Sequence, residues 1–211
     1  MIRRFALVAA LGAAAFVPIA GGVPLAAQET APDCASALWL EPLDAPEDAT
    51  AVAEITEPAP AWMTAELTDA CSGEVFTLAD LTGKTLYIEP MATWCVNCRE
   101  QMTRTGDAFA QLDETERSDI VLVALSSEVG LPAEDLAAYT ESTGLPFIFA
   151  VMPEEMLKAM ADDLGQEIAV PPATPHLIVA PDGTVGDLRL GGASVEDLLA
   201  LFAAAGSDAA S

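Results

Sequence analysis

Basic residues are scarce in this chain: 8 Lys and Arg stand against 33 Asp and Glu, a formal net charge of −25 over 211 residues. A nucleic-acid binder is therefore excluded, because a phosphate backbone demands a basic face. Beyond the N-terminus there is no run of about 20 apolar residues, so no later membrane span is expected. There are no internal repeats, and only one histidine, His176. Cysteines number four. A chain of this length buries enough surface to hold itself together without them, so they call for a chemical explanation rather than a purely structural one. The chain is also 52% hydrophobic, too apolar to stay disordered along its whole length.

The first residues read as an address. Met1-Ile2-Arg3-Arg4 is basic, Phe5 to Ala20 is apolar and interrupted by Pro18, and small residues follow up to Ala27. That order is a secretory signal peptide over 1–27, cleaved after Ala27, with an uncleaved anchor helix as the alternative. Cleavage removes Arg3 and Arg4 and no acid, leaving 6 basic and 33 acidic residues, a formal −27. The expected compartment is exported and oxidising, the periplasm. The acidity reads as a solvated surface, or as attraction to a basic partner protein.

Residues 28–61 are rich in Ala, Pro and acids, punctuated by Pro32, Pro42, Pro46, Pro58 and Pro60. They read as a linker or wrapping arm, with Trp39, Leu40 and Leu43 available to dock it. From Trp62 the pattern changes, and 62–207 reads as one α/β domain. Strands are expected at Val75–Leu78, Thr85–Glu89 (ending at Pro90), Ile120–Leu125, Pro146–Val151 and His176–Ala180. The last turns through Pro181-Asp182-Gly183 into a hairpin partner at Val185–Leu190. Helices are expected from Cys95 to about Glu116, Pro132 to Ser142, Pro153 to Leu164, closed by Gly165, and Ser194 to Ala205, ended by Gly206. Alternating apolar strands and helices predict a mixed central sheet flanked by helices on both faces.

Cys95-Val96-Asn97-Cys98 is the chemical centre. It follows a buried strand and opens a helix. Two sulfurs three residues apart there can close a small disulfide ring. Free backbone N–H groups and the helix dipole favour a thiolate on the first of them, the form that attacks disulfides. Cys98, one turn in, is placed to resolve the mixed disulfide. Half a zinc site is the lesser alternative, since no second CxxC completes it; a purely structural bridge is another. Cys34 and Cys71 remain, and in an oxidising compartment leftover cysteines pair. Their bridge would close a loop of about 38 residues, for which roughly 3–4 kcal/mol of stabilisation is expected. A second redox pair relaying electrons is the other reading.

The run Thr82-Gly83-Lys84-Thr85-Leu86-Tyr87-Ile88-Glu89-Pro90-Met91-Ala92-Thr93-Trp94-Cys95-Val96-Asn97-Cys98-Arg99 resembles the thioredoxin superfamily, nearest its exported TlpA/ResA/DsbE-like branch. A second match, Ala173-Thr174-Pro175-His176-Leu177-Ile178-Val179 followed by Pro181-Asp182-Gly183, lies far downstream. Together the likeness covers about residues 66–206. It implies a thioredoxin-like fold and a thiol–disulfide oxidoreductase that reduces selected protein disulfides, fed by a membrane-bound or exported thiol electron donor. No cofactor or metal is implied, and a monomer is expected.

The resemblance also assigns roles. Pro175 would be a cis-proline facing the redox pair, which with Thr174 presents backbone to an extended substrate; an ordinary trans-proline is the alternative. Trp94 would border the substrate groove, unless it is core packing. Glu89, six residues before Cys95, would be a buried acid beneath the pair that exchanges a proton with Cys98, unless it is an exposed strand-end acid. Pro90 and Val96-Asn97 depart from thioredoxin's usual residues. The pattern Gly-Val-x-Gly-x-Pro-Glu-Thr is absent before Pro175, which weakens a part in cytochrome c maturation. Two other functions are open: a copper(I) chaperone using Cys95, Cys98 and His176, although copper-delivery relatives space their cysteines by three residues, and a non-catalytic binding module.

Overall fold

The computed structural model describes residues 34–38 and 59–208, all within one compact unit spanning 31–211. The signal segment and the docking residues Trp39, Leu40 and Leu43 lie outside the described residues.

Among the described residues, six strands form two sheets. β1 (Leu67–Thr68) and β2 (Val75–Phe76) make a small antiparallel ladder. β3 (Thr85–Met91), β4 (Ile120–Ser126), β5 (Ile148–Val151) and β6 (Leu177–Val179) make the central sheet, in the order β5-β4-β3-β6. β3 and β4 pair in parallel, as do β4 and β5, while β6 runs antiparallel to β3. Strand periodicity divides the core into two layers. Leu86, Ile88, Val121, Val123 and Leu125 point to one face, where Met156 and Met160 of α4 (Glu154–Leu164) cover them with Trp62. Tyr87, Met91, Leu122, Ala124 and Phe149 point to the other. There they meet α1 (Val96–Phe109), α3 (Ala133–Thr143) and α5 (Val195–Asp208) through Met102, Leu136, Leu198 and Phe202. A sheet buried on both faces explains the near-continuous apolar run of β4.

Several expected elements shift. Val75–Leu78 is a strand only as far as Phe76, and Leu78–Leu81 is a 3₁₀ helix with a capping box between Thr77 and Asp80. β3 runs through Pro90 to Met91. β6 pairs with β3 only from Leu86 to Ile88, so beyond Ile88 the missing N–H leaves no gap in the ladder on that side. The long helix after Cys95 stops at Phe109, and α2 (Glu114–Ser118) starts afresh. Asp113 caps α2 and forms a reciprocal box with Glu116, and these local bonds outcompete continuation of α1. Residues 185–190 return beside β6 through isolated bridges, His176 with Arg189 and Val179 with Val185, rather than as a regular strand. α5 passes through Gly206 to Asp208; a glycine costs a helix about 1 kcal/mol, a tolerable amount in its last turn. α4 does stop at Gly165, whose φ of 112° suits glycine.

Candidate functional site

β3 emerges from the sheet into a short loop, Ala92 to Trp94, and Cys95 then caps α1. The loop is held from two sides. The Cys95 N–H donates to the Ala92 carbonyl at 3.0 Å. The Glu128 carboxylate, two residues past the end of β4, accepts from both the N–H and the hydroxyl of Thr93, at 2.6 and 2.9 Å. Cys95 and Cys98 form a disulfide with 5.3 Å between their Cα atoms. The Cys98 N–H donates to Cys95 Sγ at 3.1 Å. The first sulfur therefore sits where a thiolate would receive a helix-terminal N–H, the condition that lowers a thiol's proton affinity.

Cys98 is fully buried and Cys95 nearly so. Cys98 Sγ lies 3.1 Å from the Pro171 carbonyl, and Asn97 Nδ2 donates to the Pro172 carbonyl at 3.2 Å. Both carbonyls belong to a 3₁₀ helix, Pro171–Ala173, that packs against the start of α1. Trp94, Val96 and Val170 are 62%, 65% and 48% exposed. The pair is thus set among apolar side chains open to solvent, and Trp94 is not core packing.

Glu89 is fully buried on β3. Strand alternation puts it on the same face as Tyr87 and Met91, in the layer that holds Cys95 and Cys98. Its Oε2 accepts from the Tyr87 hydroxyl at 3.1 Å, while Oε1 has no hydrogen-bond partner. Burial pushes its pKa up to about 8, against smaller opposing effects of the Tyr87 hydrogen bond and the Arg104 charge.

No protein-family model matches this sequence, and no curated protein matches it. Solved structures do. A thioredoxin-family thiol:disulfide interchange protein from Chlorobium tepidum TLS superposes with a TM-score of 0.57 at 19% identity, covering 71% of this chain and 97% of that one. A secreted Mycobacterium tuberculosis disulfide oxidoreductase, homologous to E. coli DsbE, gives 0.53 at 17%, covering 69% and 99%. An exposed lipoprotein thioredoxin of Streptococcus pneumoniae gives 0.50 at 20%, covering 66% and 98%.

The chain has the thioredoxin fold.

Within that fold, Thr174 and Pro175 follow the 3₁₀ helix that touches Cys98, and both are buried. The expected cis bond is corrected: no peptide bond among the described residues is cis. The chain turns instead at Thr174, which adopts a left-handed conformation, φ 45° and ψ 57°.

His176 is buried, with Nδ1 3.0 Å from the Thr174 carbonyl and its ring stacked on Tyr87 at 5.7 Å. Burial lowers its pKa, against the hydrogen bond to the Thr174 carbonyl. Among the described residues no group of three or more His, Cys, Asp and Glu is placed to hold a metal ion. The structure does not gather Cys95, Cys98 and His176 into a copper site.

Cys34 and Cys71 form the second disulfide. Cys71 is in the turn between β1 and β2, which Asp69 organises by accepting from Cys71 N–H, Ser72 N–H and the Ser72 hydroxyl. Ala37 and Leu38 pack against the α4-side layer and Cys34 against the other.

Sequence reasoning missed Glu128, Tyr87 and the Pro171 and Pro172 carbonyls. Glu128 contacts Thr93 across 35 positions, so nothing local announces it. Tyr87 carried a signal: two residues before Glu89 in a strand, it had to share that face.

Proposed function

We propose that the protein is an exported, periplasmic thiol–disulfide oxidoreductase that reduces selected protein disulfides. The observation that carries this reading is the Cys95–Cys98 disulfide at the head of α1, with the Cys98 N–H on Cys95 Sγ and exposed Trp94, Val96 and Val170 around it. Two of the similar folds come from proteins described as a secreted oxidoreductase and an exposed lipoprotein, which supports an exported place. No helix among the described residues is long and apolar enough to cross a membrane.

The reduced protein starts as a dithiol. The Cys95 thiolate attacks one sulfur of a substrate disulfide, forms a mixed disulfide and releases the other sulfur as a thiolate, which takes up a proton. Cys98 gives its proton to the Glu89 carboxylate and attacks Cys95 Sγ. The Cys95–Cys98 bond forms, the mixed disulfide breaks, and the second substrate sulfur leaves as a thiolate, which takes up a proton from solvent. Two electrons have passed to the substrate. An exported or membrane-bound dithiol donor returns them, and Glu89 returns the proton to Cys98. Trp94 lines the groove that takes the substrate chain, Thr174 and Pro175 present backbone to it, and Cys34–Cys71 staples the 28–61 arm to the 62–207 domain.

The test is catalytic. The reduced protein should accelerate reduction of insulin disulfides, and Cys98→Ala should accumulate mixed disulfides through Cys95 with exported proteins. A protein that neither reduces insulin nor traps a partner is a binding module.

A further inference from the structure

The buried carboxyl of Glu89 does not stand alone. Its Oε2 is bound to the Tyr87 phenol, and that phenol is bound in turn to α1. Thr105 Oγ1 lies 3.3 Å and Gln101 Nε2 3.5 Å from the Tyr87 oxygen, each placed to donate to it. Gln101 is one turn beyond Cys98 and is itself anchored. Its Oε1 accepts from Arg104 at 3.1 Å and from the Ala193 N–H at 2.8 Å, and Arg104 Nε donates to the Ala193 carbonyl at 3.0 Å. Tyr87, Gln101, Thr105 and Glu89 are all buried. Phe147 and Phe202 meet the Tyr87 ring edge-on and His176 stacks on it, so the phenol has little freedom to leave.

We propose that Tyr87 is the positioning residue for proton exchange at Glu89: it fixes Oε2 and leaves Oε1 as the atom that takes and returns the proton of Cys98. This rests on the reading of Glu89 as the acid–base group. The argument is one of valence. A phenol donates one proton and accepts others, so it can serve both forms of the carboxyl. Facing the carboxylate, its O–H donates to Oε2 while its oxygen receives Thr105 or Gln101. Facing the neutral acid, protonated on Oε1, the same O–H still donates to Oε2, which is then the carbonyl oxygen. Burial keeps the Tyr87 hydroxyl's own pKa well above its ordinary value, so it remains a neutral donor throughout the range in which Glu89 titrates. Oε1, buried with no partner, is the open acceptor. The other titratable groups around the site are Arg104 on α1, whose charge favours the carboxylate, Tyr139 on α3, whose ionisation Glu89 opposes, and His176 at the head of β6, whose pKa burial lowers.

The experiment measures the resolution step, attack of Cys98 on a preformed Cys95 mixed disulfide, as a function of pH in the parent, Tyr87→Phe and Glu89→Gln. The parent should show a titration from Glu89. Glu89→Gln should abolish it and slow the step by about 10²-fold. Tyr87→Phe keeps the ring packing and removes one hydrogen bond to a charged acceptor, so the titration should move up by about one to two pH units. Resolution at neutral pH should then fall about 10- to 100-fold, while alkylation of reduced Cys95 keeps its own pH profile. A merely structural tyrosine would change stability and leave that titration where it was. If Glu89→Gln retains the titration, the reading of Glu89 fails. If Glu89→Gln abolishes it and Tyr87→Phe leaves it unmoved, the role of Tyr87 alone is overturned. Should Tyr87→Phe not fold, Thr105→Val serves in its place. It removes a hydroxyl that orients the phenol, so the shift should be smaller and in the same direction, and no shift overturns the inference.

Discussion

Replacing Glu89 by Gln should make the oxidised protein progressively more stable, relative to the parent, as pH rises. The carboxyl has an ordinary pKa of 4.5 and a folded value of about 8. Below pH 4.5 it is neutral in both states and its burial is uncompromised. Between 4.5 and 8 the unfolded chain sheds the proton and the folded protein keeps it. Stability therefore falls with rising pH, by about 1.4 kcal/mol per unit. The full loss by pH 8 is about 5 kcal/mol, comparable with the whole stability of many domains. Glutamine has nearly the same shape, can still accept from Tyr87, and does not titrate. Its amide adds an offset at acid pH, but a constant one. Urea unfolding of both oxidised proteins should show the difference in ΔG growing by about 3 kcal/mol from pH 5 to pH 7.5. The other acids titrate alike in both proteins and cancel, and disulfide-bonded cysteines contribute nothing. A difference that stays constant over that range would refute the burial of an ionisable Glu89.

Three further outcomes are expected. Iodoacetamide at mildly acidic pH should label reduced Cys95 well before Cys98, because Cys95 caps α1 and its sulfur receives a helix-terminal N–H; equal rates, or Cys98 faster, would sink the assignment of the attacking thiol. Mild reductant should open Cys95–Cys98 and spare Cys34–Cys71, and Cys34→Ala with Cys71→Ala should cost roughly 3–4 kcal/mol in denaturant unfolding; peptide mapping that finds Cys34 free in the exported protein would contradict it. Trp94→Ala should leave the melting temperature within about 2 °C, since the side chain is 62% exposed, yet weaken reduction of protein substrates more than of small disulfides; equal loss on both would remove Trp94 from the substrate groove.

Much of this molecule is legible from the chain, and the reason is local. β4 reads directly because six consecutive apolar residues, Ile120 to Leu125, suit a strand buried on both faces. The redox pair reads directly because a CxxC between a strand and a helix is a local geometry, with the N–H of Cys98 on the sulfur three residues back. The end of α1 was harder. The helical pattern continues past Phe109, and only the reciprocal bonds of Asp113 and Glu116 decide that a new helix starts there. The return segment after β6 is less legible: its apolar residues Val185 and Leu188 pack against the core, but the backbone pairs only at isolated points.

The apolar runs of the central strands and the two sulfurs that meet in one turn of helix are legible along the chain, because hydrophobic period and short-range geometry are properties of neighbours in sequence. What surrounds them follows from the packing of segments distant in sequence. Glu128 reaches Thr93 from 35 residues away, and Pro171 brings its carbonyl to Cys98 from 73 away. Tyr87 is tied to Glu89 within its own strand and to α1 only once the helix packs on the sheet. Thr174 is the one non-glycine residue among those described with a positive φ, and nothing in its own side chain calls for it. The proton affinity of Glu89 belongs to this second kind: a glutamate is an ordinary acid until folding takes away its water.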